Sequence, residues 1–240
     1  MLRSKLSSTL AALAVGLAVA KAAGAQQISS PYRFIEHSQN LGPIVSYLFT
    51  DRGSANLGPK SGLAYGLHYS IQLTGPIQMS AYGAYFSTER DVIDPKAEDE
   101  AARVLGTEDV SLLLVAGRLQ LNLTGARTWN RLVPFVLAGL GVTFDLTGDI
   151  GCAVTTERPQ CEVPPTERYK FGSAFAGQLG VGTLWLPRQR IGIRLTAVNT
   201  IWRLSAPLGF SDPDVTLDPT PPDTDWTNNI HVTLGLFYSF

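Results

Sequence analysis

Apolar residues recur at every second position in one segment of this chain after another. The stretch 229–240 reads N-I-H-V-T-L-G-L-F-Y-S-F. Ile230, Val232, Leu234, Leu236, Tyr238 and Phe240 hold one phase, while Asn229, His231, Thr233, Gly235, Phe237 and Ser239 fall between them. A period of two marks a strand with one apolar face. At 191–198, Ile191, Ile193, Leu195 and Ala197 alternate with Gly192, Arg194, Thr196 and Val198. At 171–185, Phe171, Phe175, Leu179, Val181 and Trp185 alternate with small or polar residues that include Gln178. Val136, Ala138, Leu140, Val142, Phe144 and Leu146 then oppose Gly139, Gly141, Thr143 and Asp145. Leu113, Val115, Leu119, Leu121 and Leu123 oppose Ala116, Arg118, Gln120 and Asn122. Leu63, Tyr65, Leu67, Tyr69, Ile71 and Leu73 give the clearest run. Two less regular segments, 43–50 and 77–87, complete a set of eight, and a slip near Tyr82 predicts a bulge there.

The connections alternate in length. Segments 74–76, 124–131 and 187–190 are short, whereas 51–62, 90–108, 148–168 and 205–228 are long. Short turns on one side and long loops on the other are the habit of transmembrane barrels. The predicted fold is therefore all-β, an eight-stranded antiparallel up-and-down transmembrane β-barrel over 41–240. An even strand number places both ends of the barrel on the short-turn side.

A soluble barrel with an apolar interior would share this alternation. Its outer face would then be rich in Lys and Glu. Here the less apolar face carries Gly, Ala, Ser, Thr, Gln and Asn, with isolated Arg118, Asp145, Lys170 and Arg194, and only 16% of residues are charged. Tyr47, Phe49, Tyr65, Tyr69, Tyr85, Phe171, Trp185, Tyr238 and Phe240 fall largely near strand ends on the apolar face, where a bilayer interface favours aromatic rings. The apolar face is expected to point outward, into lipid.

The start of the chain is consistent with export. Arg3 and Lys5 precede the apolar run 10–20, and Ala23-Gly24-Ala25 offers a cleavage site, so 1–25 reads as a signal peptide. Residues 26–40 read as a periplasmic lead-in. No later apolar run reaches the roughly 18 residues of a spanning helix. A net charge of −1 gives no basic surface for nucleic acid. The two cysteines, Cys152 and Cys161, lie close together beyond an export signal, which favours a local disulfide over a metal pair.

From Leu41 to Phe240 the chain resembles small eight-stranded outer-membrane barrels of the OmpA/OmpX type. The resemblance rests on Ala23-Gly24-Ala25, the alternating strands, the loop asymmetry and the terminal Tyr238-Ser239-Phe240. It implies a monomer among outer-membrane lipids and lipopolysaccharide, with both termini periplasmic and the long loops extracellular. It also implies that Tyr238 and Phe240 form the signal read by the barrel-assembly machinery. No peptidoglycan-binding segment follows Phe240, unlike full-length OmpA-like proteins.

Three groups could carry chemistry. The inward set Arg118, Asp145, Lys170, Arg194, Gln120, Gln178 and His231, with Gln72, Gln78 and Asn122, would line the lumen. Buried charges need partners, so a polar network anchored on Arg118 and Asp145 is expected, as a plug or as a narrow water or ion path. His68 and Ser70 share a face, as in barrel deacylases, but the alternation turns them inward with no carboxylate in register. Asp91, Asp94, Glu98, Asp99, Glu100 and Glu108 cluster in one loop and Asp212, Asp214, Asp218, Asp223 and Asp225 in another, without cation-loop spacing. The sequence thus predicts no catalytic residue, no metal and no cofactor. It predicts a surface-contact role for the loops, with a narrow porin-like channel as alternative, and no motif names a loop ligand.

Overall fold

Alternating sequences of this kind can satisfy their backbone hydrogen bonds only against neighbouring strands, and the chain does so in a ring. The computed structural model describes residues 30–240 except 98, 100–101, 149–151, 153–157, 213–214 and 216–221. The predicted signal peptide therefore lies outside the described residues. Strands run β1 (Tyr32–Phe34), β2 (Gln39–Phe49), β3 (Gly62–Thr74), β4 (Ile77–Ile93), β5 (Val104–Asn122), β6 (Arg127–Trp129), β7 (Leu132–Asp145), β8 (Ser173–Trp185), β9 (Ile191–Ser205) and β10 (Thr224–Ser239). A four-residue helix, α1 (Pro159–Glu162), and a short 3₁₀ turn (Leu208–Ser211) belong to the loops.

Eight long strands pair antiparallel in the order β2-β3-β4-β5-β7-β8-β9-β10, and β10 returns to β2 to close the barrel. The register can be followed round the ring, from Leu48 to His231, Val198, Gly180, Leu137, Gln120, Gln78 and Gln72. The Gln72 amide then bonds the Ser38 carbonyl, so the circuit returns 48 − 38 = 10 residues from its start. That stagger tilts the strands by about 35–45° and leaves an interior that side chains can fill.

The apolar phase is outside. Leu67, Leu121 and Leu234 are 60%, 44% and 57% exposed, whereas their neighbours His68, Gln120 and Thr233 are buried. On β4 the outward residues are Ile77, Met79, Ala81, Gly83 and Tyr85, and then Ser87 and Glu89. Eight steps of about 3.4 Å at a tilt of about 40° span about 21 Å, close to the apolar height of a barrel in a bilayer. Aromatic pairs mark the loop-end border, Tyr47 with Phe49 at 4.7 Å and Tyr65 with Tyr85 at 5.6 Å. Trp185, Tyr238 and Phe240 are exposed at the turn end.

Several boundaries differ from the sequence expectation. No bulge occurs at Tyr82: β4 keeps its register with β3 and β5, and Tyr82 points into the lumen. An aromatic residue in the inward phase only mimicked a slip, because it fills space beside Ala116 and His68. β4 and β5 also run on past the lipid band to Ile93 and from Val104, so Asp91 and Glu108 belong to a protruding hairpin rather than a loop. Cross-strand pairs such as Arg90 opposite Glu108 extend the ladder there. The lead-in is partly built into the fold, since β1 pairs with β6 and Asn40 lies in β2.

Candidate functional site

The inward phase fills the barrel with an apolar cluster at each end and a polar tier set beside the turn-end one. At the loop end, Leu48, Phe86, Leu112, Leu114 and Trp202 pack with Leu57, Tyr169 and Phe210, which come from three different loops. At the turn end, Val133, Phe135, Leu137, Leu184, Val198 and Phe237 form a second apolar cluster, with Ile35 and Leu186 against it. Inward glycines make room for these rings. A Cβ on Gly192 would lie 2.2 Å from Phe237 Cζ, and one on Gly182 would lie 2.6 Å from Phe135 Cζ.

Beside the turn-end cluster, and level with it because Gln120 pairs with Leu137 and Arg194 with Leu184, lies a polar tier built on two arginines, each 4% exposed. The Arg118 Nε donates to Gln178 Oε1 at 2.7 Å, and Gln178 Nε2 donates to Thr200 at 3.3 Å. The Arg118 guanidinium also lies 3.5 Å over the Tyr82 ring. Across the lumen, Arg194 Nη1 donates to Gln120 Oε1 at 2.7 Å and faces the Phe135 ring at 5.0 Å. Gln120 Nε2 then donates to Asn122 Oδ1 at 2.7 Å and to Gln78 Oε1 at 3.3 Å. Among the described residues no carboxylate forms an ion pair with either arginine.

The expected network is thus joined in part. Arg118, Gln178, Arg194 and Gln120 share the tier, but three other predicted members lie elsewhere. Asp145 ends β7, half-buried, and accepts the Thr147 amide at 2.9 Å. It stands six residues past Gly139, the partner of Arg118, which is about 20 Å along the strand. Lys170 precedes β8 and is exposed. Phe171, expected in the outward phase, instead packs edge-on against Trp202 at 5.6 Å. The chain before Ser173 has left the ladder, so strand alternation no longer governs these two residues. His231 is buried in the loop-end tier, edge-on to Phe86 at 5.4 Å and Trp202 at 6.5 Å, with neither ring nitrogen hydrogen-bonded among the described residues. His68 and Ser70 are inward and buried, and Ser70 accepts from Asn40 at 3.2 Å.

The loop end carries its own polar clasp. Arg90 donates to the Tyr169 carbonyl and, at 2.8 Å, to Gln160 Oε1. Glu108 accepts the Gln160 amide at 3.3 Å, and burial pushes the Tyr169 phenol above its ordinary range. Cys152 and Cys161 are disulfide-bonded beside this clasp, with Cys161 in α1. Outside it, Asp91 bridges Arg52 at 2.6 Å and Lys60 at 2.8 Å. Lys96 reaches Glu167 at 2.8 Å and Asp212 at 3.7 Å. The acidic residues once grouped by loop are therefore partly spent in ion pairs, while Glu98, Glu100, Asp214 and Asp218 lie outside the described residues.

The turn end holds a cavity of about 600 Å³ that sequence reasoning missed. Asn40, Gln78, Leu184, Phe237 and Ser239 form its inner wall, while Phe34, Ile35 and Glu36 cross its mouth. That crossing is fastened by Ile35 N to Ala126 O at 3.1 Å and by Gln189 to Glu36 at 2.9 Å. Arg127 also faces the Phe34 ring at 4.5 Å. The only sequence signal was the arginines of the short turns, of which Arg131 and Arg188 line the mouth with Arg33.

No family model and no curated protein matches the chain. Solved structures do match. OprG, an outer membrane protein of Pseudomonas aeruginosa, aligns with a TM-score of 0.53 at 12% identity, over 88% of this chain and 99% of that one. Neisserial surface protein A aligns with a TM-score of 0.50 at 8% identity, over 84% of this chain and 97% of that one. Identities this low speak to architecture alone. Closed ring, outward apolar band and these alignments agree: the chain has the fold of the small eight-stranded outer-membrane β-barrels.

Proposed function

We propose that the protein is an integral outer-membrane barrel with a closed lumen, acting without catalysis through the surface that its loops present. The observation that carries this reading is the apolar cluster that fills the barrel at its loop end, where Leu57, Tyr169 and Phe210 from three loops close over it. Trp202, Phe86 and Leu112 are fully buried at one end, and Phe135 and Val133 at the other. Water and ions crossing the barrel would have to pass the loop-end apolar layer. The loop end that presents this surface is held by a buried clasp of Arg90, Gln160 and Glu108, with the ion pairs of Asp91 to Arg52 and Lys60 outside it.

The same reading places the short turns and both ends of the barrel in the periplasm and the loops outside the cell, among lipopolysaccharide. Tyr238 and Phe240, exposed at the turn end of β10, serve as the signal for the barrel-assembly machinery. Planar-bilayer recording of the full chain tests the closed lumen. No discrete conductance steps are expected. Steps that are altered by Arg118→Gln or Arg194→Gln would replace the closed reading with a narrow pore.

A further inference from the structure

Two guanidinium groups buried in one lumen pose an electrostatic problem. Moving an unpaired charge out of water costs far more than a hydrogen bond returns. Arg118 and Arg194 have amide and aromatic neighbours, yet neither has a carboxylate partner among the described residues. The inward carboxylates Glu108, Asp145 and Asp225 all lie toward the loop end, past the apolar cluster of Phe86, Leu112 and Trp202. Residues 1–29 contain no Asp or Glu, so the start of the chain cannot supply one.

The unused donors lie on one side of this charge. Arg194 Nε and Asn122 Nδ2 are buried without a hydrogen-bond partner among the described residues, and Gln120 touches both residues. Gln120 also bonds Gln78, which forms part of the inner wall of the turn-end cavity. Thr128 Oγ1, also lining this cavity, is a further buried polar atom without a partner among the described residues. At the mouth stand Arg33, Arg131 and Arg188 against one carboxylate, Glu36, which is hydrogen-bonded by Gln189, and this excess of positive charge favours the approach of an anion.

We propose that the lumen binds a small anion, of halide, carboxylate or phosphate type, at Arg194 Nε and Asn122 Nδ2, and that the anion enters through the turn-end cavity. The anion supplies the counter-charge that no carboxylate provides beside the two arginines among the described residues, and it satisfies donors that otherwise stay idle. The site is independent of whether the lumen conducts, because the apolar cluster at the loop end lies beyond it.

The test uses the full chain purified in detergent micelles. Its unfolding temperature is followed at constant ionic strength while bulky gluconate is replaced by bromide, formate or phosphate. At ten times the dissociation constant, at least one of these is expected to raise the temperature by about 3–6 °C, saturably. The three salts distinguish a halide from an oxyanion. Arg194→Gln is expected to abolish the rise. Equal temperatures in all salts, or a rise retained in Arg194→Gln, would overturn the proposal. Should that variant fail to fold, crystals of the unaltered chain soaked in bromide give the second measurement. Anomalous density beside Arg194 Nε supports the site, and density only at Arg33, Arg131 or Arg188 overturns it.

Discussion

Arg194 of β9 donates to Gln120 of β5 at 2.7 Å, a bond across the lumen between residues 74 apart in sequence. The two ends of this bond are not equivalent. Gln120→Ala leaves a buried guanidinium short of an acceptor and is expected to cost about 1.5–3 kcal/mol. Arg194→Met removes the charge together with its desolvation penalty, so its cost should be smaller or even reversed in sign. Urea titration in gluconate, read by tryptophan fluorescence, measures both. An Arg194→Met variant as unstable as Gln120→Ala would contradict this ordering.

Close packing at the turn end predicts a coupled pair. Gly192→Ala would place a Cβ 2.2 Å from Phe237 Cζ, against a ring that is itself buried. Overpacking of this kind costs about 1–3 kcal/mol. Adding Phe237→Leu should recover part of that loss, with a coupling of at least about 0.5 kcal/mol in a double-mutant cycle. Strictly additive losses would show that the ring moves aside freely.

These two relationships mark the limit of what the sequence could disclose. Period-two alternation reports which side of a strand faces lipid, and it placed Leu67, Leu121, Leu234, Arg118 and Arg194 in their observed phases. It says nothing about height along the barrel. That is why Asp145 could be paired with Arg118 on phase alone, although six residues of strand separate their levels. It also assumes that inward means polar, so Tyr82 resembled a bulge. Loop contacts such as Tyr169 with Arg90 depend on tertiary folding and leave no periodic trace. The turn-end cavity was invisible for the same reason, since its walls come from five separate segments of the chain.

Acid should loosen the protruding hairpin. Ser87 and Glu89 follow Tyr85 on the outward face of β4, so Asp91 stands beyond the lipid band. Partial burial opposes ionisation of its carboxyl, but hydrogen bonds from Lys60 and Arg52 outweigh that and hold it below the ordinary range. A lowered native pKa contributes stability at pH values above the unfolded carboxylate pKa of about 3.9. That contribution is lost as pH falls through the native value. Limited proteolysis of segment 50–61 should accelerate below about pH 4. In Asp91→Asn it should already be fast at neutral pH, by an amount matching about 0.2–1 kcal/mol for a partly exposed pair. A pH-independent cleavage rate would refute the role of this carboxylate.

The Cys152–Cys161 bridge closes a short loop beside the Arg90 clasp. On the chain-entropy model such a closure is worth roughly 2.5–3 kcal/mol. Its effect should be local, because the barrel ladder is complete without it. Reduction, or Cys161→Ser, should speed amide exchange over 158–170 by on the order of a hundredfold. Amides in β9 and β10 should keep their protection. Loss of protection throughout the barrel would mean that the bridge supports the whole fold.

Phe240 separates folding from delivery. Its backbone pairs with Gln39, N to O at 3.0 Å in one direction and 3.3 Å in the other, while its ring projects outward at the turn end. Phe240→Ala keeps both backbone bonds and removes only an exposed ring, so refolding into lipid vesicles should proceed as in the unaltered chain. If the ring serves as the assembly signal, the amount recovered in the outer membrane of cells should fall severalfold, with Tyr238→Ala producing a smaller deficit. Equal losses in vesicles and in cells would assign Phe240 to barrel stability instead. An unchanged cellular yield would remove it from assembly altogether.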